Sequence, residues 1–116
     1  MNQVPVLSQL EQYLSLTNKR ATVLAANVAN VDTPGYHTRD INFQHELSRA
    51  FASSGTAAPA VQVQTVGGLM ERPDGNNVDV DRESVLLSEA QLQFQVGTQL
   101  MKSRFHELMT AINGDK

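Results

Sequence analysis

The chain is short and mildly acidic: 116 residues, 41% hydrophobic, 18% charged, with a formal net charge of -3. This length fits one domain at most, and the nine basic residues are scattered, so we expect no nucleic-acid surface. The absence of cysteine excludes disulfide scaffolds, thiolate metal sites and cysteine nucleophiles. No apolar run reaches the roughly 18 residues of a membrane helix, so we expect no direct membrane insertion. The N-terminus also lacks the pattern of a cleavable signal peptide.

The first predicted element is a helix from about Val6 to Asn30. Apolar residues recur at alternating intervals of three and four, which is typical of a helix that packs lengthwise on another helix. At about 1.5 Å per residue such a helix is longer than the diameter of a compact domain of this size. The predicted heptad seam consists of Leu7, Leu10, Leu14, Thr17, Ala21, Leu24, Val28 and Val31.

The stretch ANVANVDTPGYHTRDINF, residues 26–43, ends this helix. Asn27 and Asn30 lie three residues apart, so their amides can either cap the last turn or hydrogen-bond to a facing backbone. Pro34 and Gly35 fit the two central positions of a type II turn. Apolar and polar residues then alternate, which predicts an extended arm over residues 32–43 that docks on a neighbouring subunit.

The same stretch has a second interpretation, because residues 32–35, Asp-Thr-Pro-Gly, match the DxxG turn that binds magnesium in GTPases. That turn follows a strand and works together with a G-x-x-x-x-G-K-[ST] phosphate loop. The sequence lacks such a loop, and a helical pattern leads into Asp32. We therefore expect no nucleotide site and no cofactor.

Other chemical sites find little support in the sequence. No serine lies in a Gly-flanked elbow, and no two histidines are spaced i, i+4 on one helix. Asp79, Asp81 and Glu83 could together bind a cation. Capping of a helix by Asp81, with Glu83 adding favourable negative charge in the first turn, explains them with fewer assumptions. The sequence thus predicts neither an enzyme nor a metal site.

The middle of the chain changes character. Residues 52–59 are small and polar, which predicts a mobile linker. Residues 61–66 alternate with period two, as in a half-exposed strand. Residues 72–76, Arg-Pro-Asp-Gly-Asn, have the composition of a tight turn and are flanked by the apolar residues of 69–70 and 78–80, which predicts a β-hairpin.

A second long helix is predicted from Arg82 to Ile112, with Asn113-Gly114 as its stop. Its apolar residues form two stripes, which suggests burial on more than one side. Because two helices and a small ribbon bury little apolar surface, we expect other chains to complete the packing. The main stripe consists of Leu87, Ala90, Phe94, Gly97, Met101, Phe105, Leu108 and Ile112, and the second stripe of Val85, Leu92, Val96 and Leu100.

These stretches carry a family resemblance. Residues 26–43 resemble the N-terminal motif of the bacterial flagellar rod and hook proteins, roughly A-x-N-[IL]-A-N-x-x-T-x-G-[YF], with Val28 where Ile or Leu is usual. The continuation RDINF and the stretch RPDGNNVDVDRE, which leads into LQFQ, look more specifically like the rod proteins of the proximal basal body. The two motifs lie in the right order and together span most of the chain.

The resemblance implies a mainly α fold in which the two terminal helices form an antiparallel, coiled-coil-like pair. Residues 1–31 and 82–116 would be the two helices of the rod core, and residues 32–81 the arm, linker and hairpin between them. The implied function is a structural subunit of the flagellar rod, which spans the periplasm and transmits motor torque. A standalone helical module that recognises one partner helix is the alternative.

The resemblance also implies partners: copies of the chain, adjoining rod proteins, the adaptor FliE and the MS-ring protein of the inner membrane. It implies export through the flagellar type III apparatus without signal cleavage. The residues expected at subunit interfaces lie on the helical stripes and on the arm: Leu7, Leu10, Leu14, Leu24, Asn27, Val28, Asn30, Asp32, Thr33, Pro34, Gly35, Tyr36, Arg39, Asp40, Phe43, Leu87, Phe94, Met101, Phe105 and Leu108.

Overall fold

The computed structural model describes residues 4–53 and 60–114, so the predicted linker over residues 52–59 lies largely outside the described part. The described chain is mainly helical, with long helices near both ends and a small antiparallel sheet between them, which confirms the predicted fold class. The elements in chain order are α1 (Val4–Ala29), β1 (Arg39–Ile41), α2 (Phe43–Ala52), β2 (Val63–Thr65) and α3 (Val80–Ile112).

Helices α1 and α3 pack side by side in opposite directions. Asn27 contacts Glu83, and Arg20 lies 3.6 Å from Glu89. Gly97 lies against Leu14, so residue numbers fall in α1 as they rise in α3. The pair gives the molecule dimensions of 67 × 26 × 18 Å and a radius of gyration of 18.1 Å. A compact domain of this length would have a radius of gyration of about 13 Å, so the protein is a rod.

The packing of α1 uses two of its faces. The predicted heptad seam faces α3, and Thr17 and Leu24 on it are buried. A second face, which includes Tyr13 and Arg20, lies against β1 and α2: the Tyr13 ring stacks edge-on against Phe43 at 5.6 Å, and Arg20 pairs with Asp40. Because much of this second face is polar, a search for apolar periodicity does not detect it.

The small sheet contains the strand predicted over residues 61–66, where β2 forms, but not the predicted hairpin. The tight turn at residues 72–76 forms: the Gly75 N–H donates to the Arg72 carbonyl and the Arg72 N–H donates to the Asn76 carbonyl, both at 2.8 Å. The flanking residues 69–70 and 78–80 do not pair as strands, so the predicted hairpin is wrong. Instead β1 pairs antiparallel with β2, with Ile41 opposite Val63. The residues after the turn bond to the segment that follows α1.

The arm is extended only as far as Asn42, and the prediction of extended structure through Phe43 is wrong. Helix α2 begins at Phe43, and the Asn42 side chain caps it by accepting the His45 N–H at 3.2 Å. Phe43, Leu47 and Phe51 lie at i, i+4 and i+8, the spacing of one helical face. That spacing, directly after an asparagine, is the sequence signal from which α2 could have been predicted.

Helix α3 begins two residues earlier than predicted. Its N-cap is Asp79, which has extended backbone angles and accepts the N–H groups of Asp81 and Arg82 at 3.1 and 3.3 Å. The prediction that Asp81 caps the helix is therefore wrong, and Asp81 lies within the first turn. At the other end, Gly114 has a φ of +71° next to Asn113, as expected of the predicted stop. None of the helices in the described ranges is both long and apolar enough to cross a membrane.

Candidate functional site

The two sequence motifs, which lie about forty residues apart in the chain, meet at one end of the helix pair. The predicted Pro-Gly turn forms, with the Tyr36 N–H donating to the Thr33 carbonyl at 3.2 Å and Gly35 at a φ of +76°. The Gly35 N–H donates to the Asp74 carbonyl at 2.9 Å. A Cβ on Gly75 would lie only 3.4 Å from the Gly35 Cα. The turns of the two motifs therefore lie directly against each other, and we call this region the junction (residues 27–41 and 72–83).

Side chains of the second motif bond carbonyls in the segment that directly follows α1. Asn76 is fully buried, and its amide donates to the carbonyls of Asn30 and Thr33 at 2.9 and 2.8 Å. The guanidinium of Arg72 donates to the Val31 carbonyl. A helix leaves its last carbonyls without partners inside the helix. The second motif therefore caps the region that follows α1.

Two further buried residues join the extended segment to the second motif. The Asn77 side-chain oxygen accepts both the N–H and the hydroxyl of Thr38, at 2.7 and 2.9 Å. The Asn77 N–H donates to the Tyr36 carbonyl at 3.2 Å. These bonds hold residues 36–38 and 77 in a strand-like contact, although neither segment belongs to a strand. Sequence reasoning missed Thr38, Asn76 and Asn77, and the signal was the Asn-Asn pair directly after a turn glycine.

Asn27 is the centre of the junction. Its amide nitrogen donates to the Arg39 carbonyl at 2.8 Å and to a Glu83 carboxylate oxygen at 2.7 Å. Its oxygen accepts the Arg39 N–H and the Tyr36 hydroxyl, both at 3.1 Å. The side chain is fully buried and makes four hydrogen bonds, which is the full capacity of an amide. Of the two alternatives for the asparagines, Asn27 bonds a facing backbone, whereas Asn30 caps the last turn through the Ala26 carbonyl at 2.8 Å.

The three carboxylates considered for cation binding have separate roles. Asp79 caps α3, and Asp81 is exposed in its first turn. Glu83 is fully buried and bonds Asn27 through one oxygen and Arg82, at 2.7 Å, through the other. In the part of the chain that the structure describes, no three acidic or histidine side chains converge as a metal site would require.

Next to the junction, Arg20 links three elements. Its guanidinium bonds both carboxylate oxygens of Asp40, at 2.9 and 3.0 Å, and lies 3.6 Å from Glu89 of α3. The hydrogen bonds that the Arg20 guanidinium donates to Asp40 raise the pKa of Arg20 above its ordinary value, and the partial burial of the group works against that rise. Such a bidentate pair fixes geometry as well as charge. Arg20 thus fixes β1 and α3 relative to α1.

The residues predicted at subunit interfaces differ in how far their own chain buries them. Leu24 and Asn27 are buried within the chain, so they would act on an interface only by shaping the junction. An interface role for each of the predicted residues remains a prediction. Those exposed are Asp32, Thr33, Pro34, Gly35, Arg39, Phe94 and Phe105. Those half-buried are Leu7, Leu10, Leu14, Val28, Asn30, Tyr36, Asp40, Phe43, Leu87, Met101 and Leu108.

Helix α3 presents large apolar side chains that the rest of the chain does not cover. On the second stripe, Val85 is 68% exposed and Leu92 is 60% exposed. Beyond the middle of the helix, Phe105 is 55% exposed and Ile112 is 67% exposed. The second stripe is thus open in the single chain, and the predicted burial on more than one side would need another chain. Large exposed apolar side chains at helical spacing, as on the second stripe, favour an interaction surface.

Comparison with known proteins identifies the family. The family model described as "Flagella basal body rod protein" matches residues 14–37, which include the first motif. The chain is 34% identical to the flagellar basal body rod protein FlgB of Salmonella typhimurium over 124 aligned positions, covering 90% of each chain. It is 34% identical to FlgB of Aeromonas hydrophila, with 92% of each covered, and 30% identical to FlgB of Bacillus subtilis, with 95% of each covered. The chain therefore belongs to the FlgB family of flagellar basal body rod proteins and is a structural subunit of the basal body rod.

Proposed function

We propose that the chain assembles with copies of itself and with neighbouring rod proteins through the open apolar surface of α3. The observation that carries this proposal is the exposure of Val85, Leu92, Val96 and Leu100, the second stripe of α3. Removing apolar surface from water stabilises association by about 25 cal/mol per Å². Neighbouring chains would cover these side chains and turn the edge of the helix pair into the core of a larger bundle.

The junction serves this assembly by fixing the shape of the subunit. Because Asn27, Glu83 and Arg20 lock α1, β1 and α3 together, the α3 surface is held in one orientation. An interface that joins different surfaces of identical or similar subunits builds a helical array when it does not close on itself. A stiff subunit of this kind suits a shaft that transmits motor torque through the periplasm, and it acts by assembly and not by catalysis.

The finer partners are part of the same proposal. We infer that the adaptor FliE and the MS-ring protein adjoin this subunit at the proximal end of the rod, and that the chain travels through the flagellar type III export apparatus. The family membership supports a position in the rod. The division into helical core segments 1–31 and 82–116 around the central segment 32–81 also remains a proposal.

The test replaces an exposed apolar side chain without touching the fold. Leu92→Glu in the chain, supplied to cells that lack it, should abolish or strongly reduce swimming and the yield of basal bodies, because it places a charge in the proposed interface. Gln62→Glu is the control, since Gln62 is exposed and precedes β2. Both variants should fold like the wild type by circular dichroism. Normal motility with Leu92→Glu would refute the proposed surface.

A further inference from the structure

The junction end of the molecule carries an open cavity whose lining combines apolar side chains with acidic ones. The cavity, of about 550 Å³, lies between residues 69–73 and 77–80. Its apolar side includes Met70, which is 90% exposed, and Val80, which is 42% exposed. Glu71 and Asp79 add carboxylates. We call it the junction cavity.

The electrostatics of this end favour a basic occupant. Residues 31–41 and 69–83 contain seven carboxylates and three arginines. Asp40 pairs with Arg20 and Glu83 is buried, which leaves five carboxylates on the surface. Two of the arginines are engaged within the junction: Arg82 pairs with buried Glu83, and Arg72, which also lines the cavity, donates to the Val31 and Val78 carbonyls. Exposed negative charges that face a cationic group raise both the rate and the specificity of its association.

The other end of the same molecule displays the complementary chemistry. Near the end of α3, Lys102 and Arg104 lie beside Phe105, Met109 and Ile112, whose side chains are 43% to 67% exposed. Among the described residues of this end, the acid is Glu107, which lies 3.5 Å from Arg104 on the surface. This distal end is therefore both basic and apolar.

The distal end cannot reach the junction cavity of its own chain. Val80 and Ile112 are the first and last residues of one continuous helix of 33 residues. At about 1.5 Å per residue, roughly 50 Å separates them. A basic, apolar helix end that fills the cavity must therefore come from another chain.

We propose that the junction cavity of one subunit receives the C-terminal end of the long helix of an axially adjacent rod subunit. That end is basic and apolar, as the distal end of this chain is. The contact joins opposite ends of two subunits along the rod axis. It is heterologous and does not close, so it suits growth along an axis. This proposal rests on the proposed rod assembly, and it adds which end of one subunit contacts which end of the next.

The test titrates the folded chain with a fluorescent peptide of residues 98–114. Met70→Ser and Glu71→Lys should each weaken binding of the peptide by roughly fivefold or more, because they remove an apolar contact and reverse a rim charge. Glu11→Lys makes the same charge reversal at an exposed position of α1 and should change binding by less than about twofold. A peptide carrying Lys102→Glu should bind more weakly to the wild-type chain and recover affinity toward Glu71→Lys.

Two results would overturn the proposal. One is the absence of peptide binding at concentrations up to about 1 mM, which corresponds to a binding free energy weaker than roughly -4 kcal/mol. The other is equal weakening by Glu71→Lys and Glu11→Lys, which would indicate attraction by net charge alone. Either result would leave the rod function standing if Leu92→Glu still abolished motility, so the two failures are distinguishable.

Discussion

Replacing Asn27 with alanine tests whether the junction stabilises the chain. The substitution removes four hydrogen bonds at a fully buried position. The carboxylate of Glu83, the hydroxyl of Tyr36 and the N–H and carbonyl of Arg39 then lose this partner. A buried polar group left without a partner costs about 1–3 kcal/mol.

The expected cost is lower than the sum of these losses, because Glu83 keeps its bond to Arg82 and water can approach the exposed residue Arg39. We expect a loss of about 3–4 kcal/mol in the free energy of unfolding. With an unfolding entropy near 0.24 kcal/mol/K for a chain of this length, the melting temperature should fall by roughly 12–17 °C.

The matched control is Asn30→Ala, the same substitution three residues later in the same motif. Its side chain donates to the Ala26 carbonyl and accepts the Thr33 hydroxyl. Both bonds are exposed, so water can replace them and the cost should stay below about 1 kcal/mol. Urea unfolding of both variants, followed by circular dichroism, measures the difference. If Asn27→Ala costs no more than Asn30→Ala, the junction is not the stabilising centre that its hydrogen bonds suggest.

Three further substitutions test single contacts. Gly97→Val should cost about 2–3 kcal/mol in urea unfolding, because even a Cβ there would lie 2.7 Å from a side-chain carbon of the facing helix, and an unchanged midpoint would contradict the close packing. Arg20→Lys should lose about 1–2 kcal/mol with its bidentate pair, whereas Lys19→Arg on the exposed face should change nothing measurable. Because the pKa of Arg20 is raised in the folded chain, the stabilisation by Arg20 is complete below its unfolded pKa and is lost only as the pH rises through its folded pKa. The cost of Arg20→Lys should therefore be constant between pH 5 and pH 9. Asp79→Ala should cost about 1 kcal/mol and Asp81→Ala less than half of that, and the reverse order would restore Asp81 as the cap.

Much of the fold could be predicted from local patterns. The seam from Leu7 to Val31 and the main stripe of α3 predicted two long helices because apolar residues at helical spacing must share a face. The Pro-Gly turn and the stop at Gly114 were predicted from residue types whose backbone preferences are strong, and both glycines have positive φ in the structure.

What the sequence did not predict depends on contacts between distant residues. The hairpin at residues 69–80 was wrong because the turn residues fix only the turn, and Asn76 bonds carbonyls more than forty positions away. The pairing of β1 with β2 joins Ile41 to Val63 across α2, and local alternation does not specify a partner. The burial of Glu83 was also not predicted, since a charged residue at the start of a helix is usually solvated.

The central claim is that neighbouring subunits cover the open surface of α3, and the absence of cysteine makes a direct measurement possible. A single Leu92→Cys substitution gives the chain one thiol at a position that is 60% exposed. Maleimide labelling of this thiol should be fast in the purified chain and slowed by roughly tenfold or more in isolated basal bodies, with labelling restored when the basal bodies are denatured. Equally fast labelling in the purified chain and in native basal bodies would show that this surface stays open in the rod, and it would contradict the account.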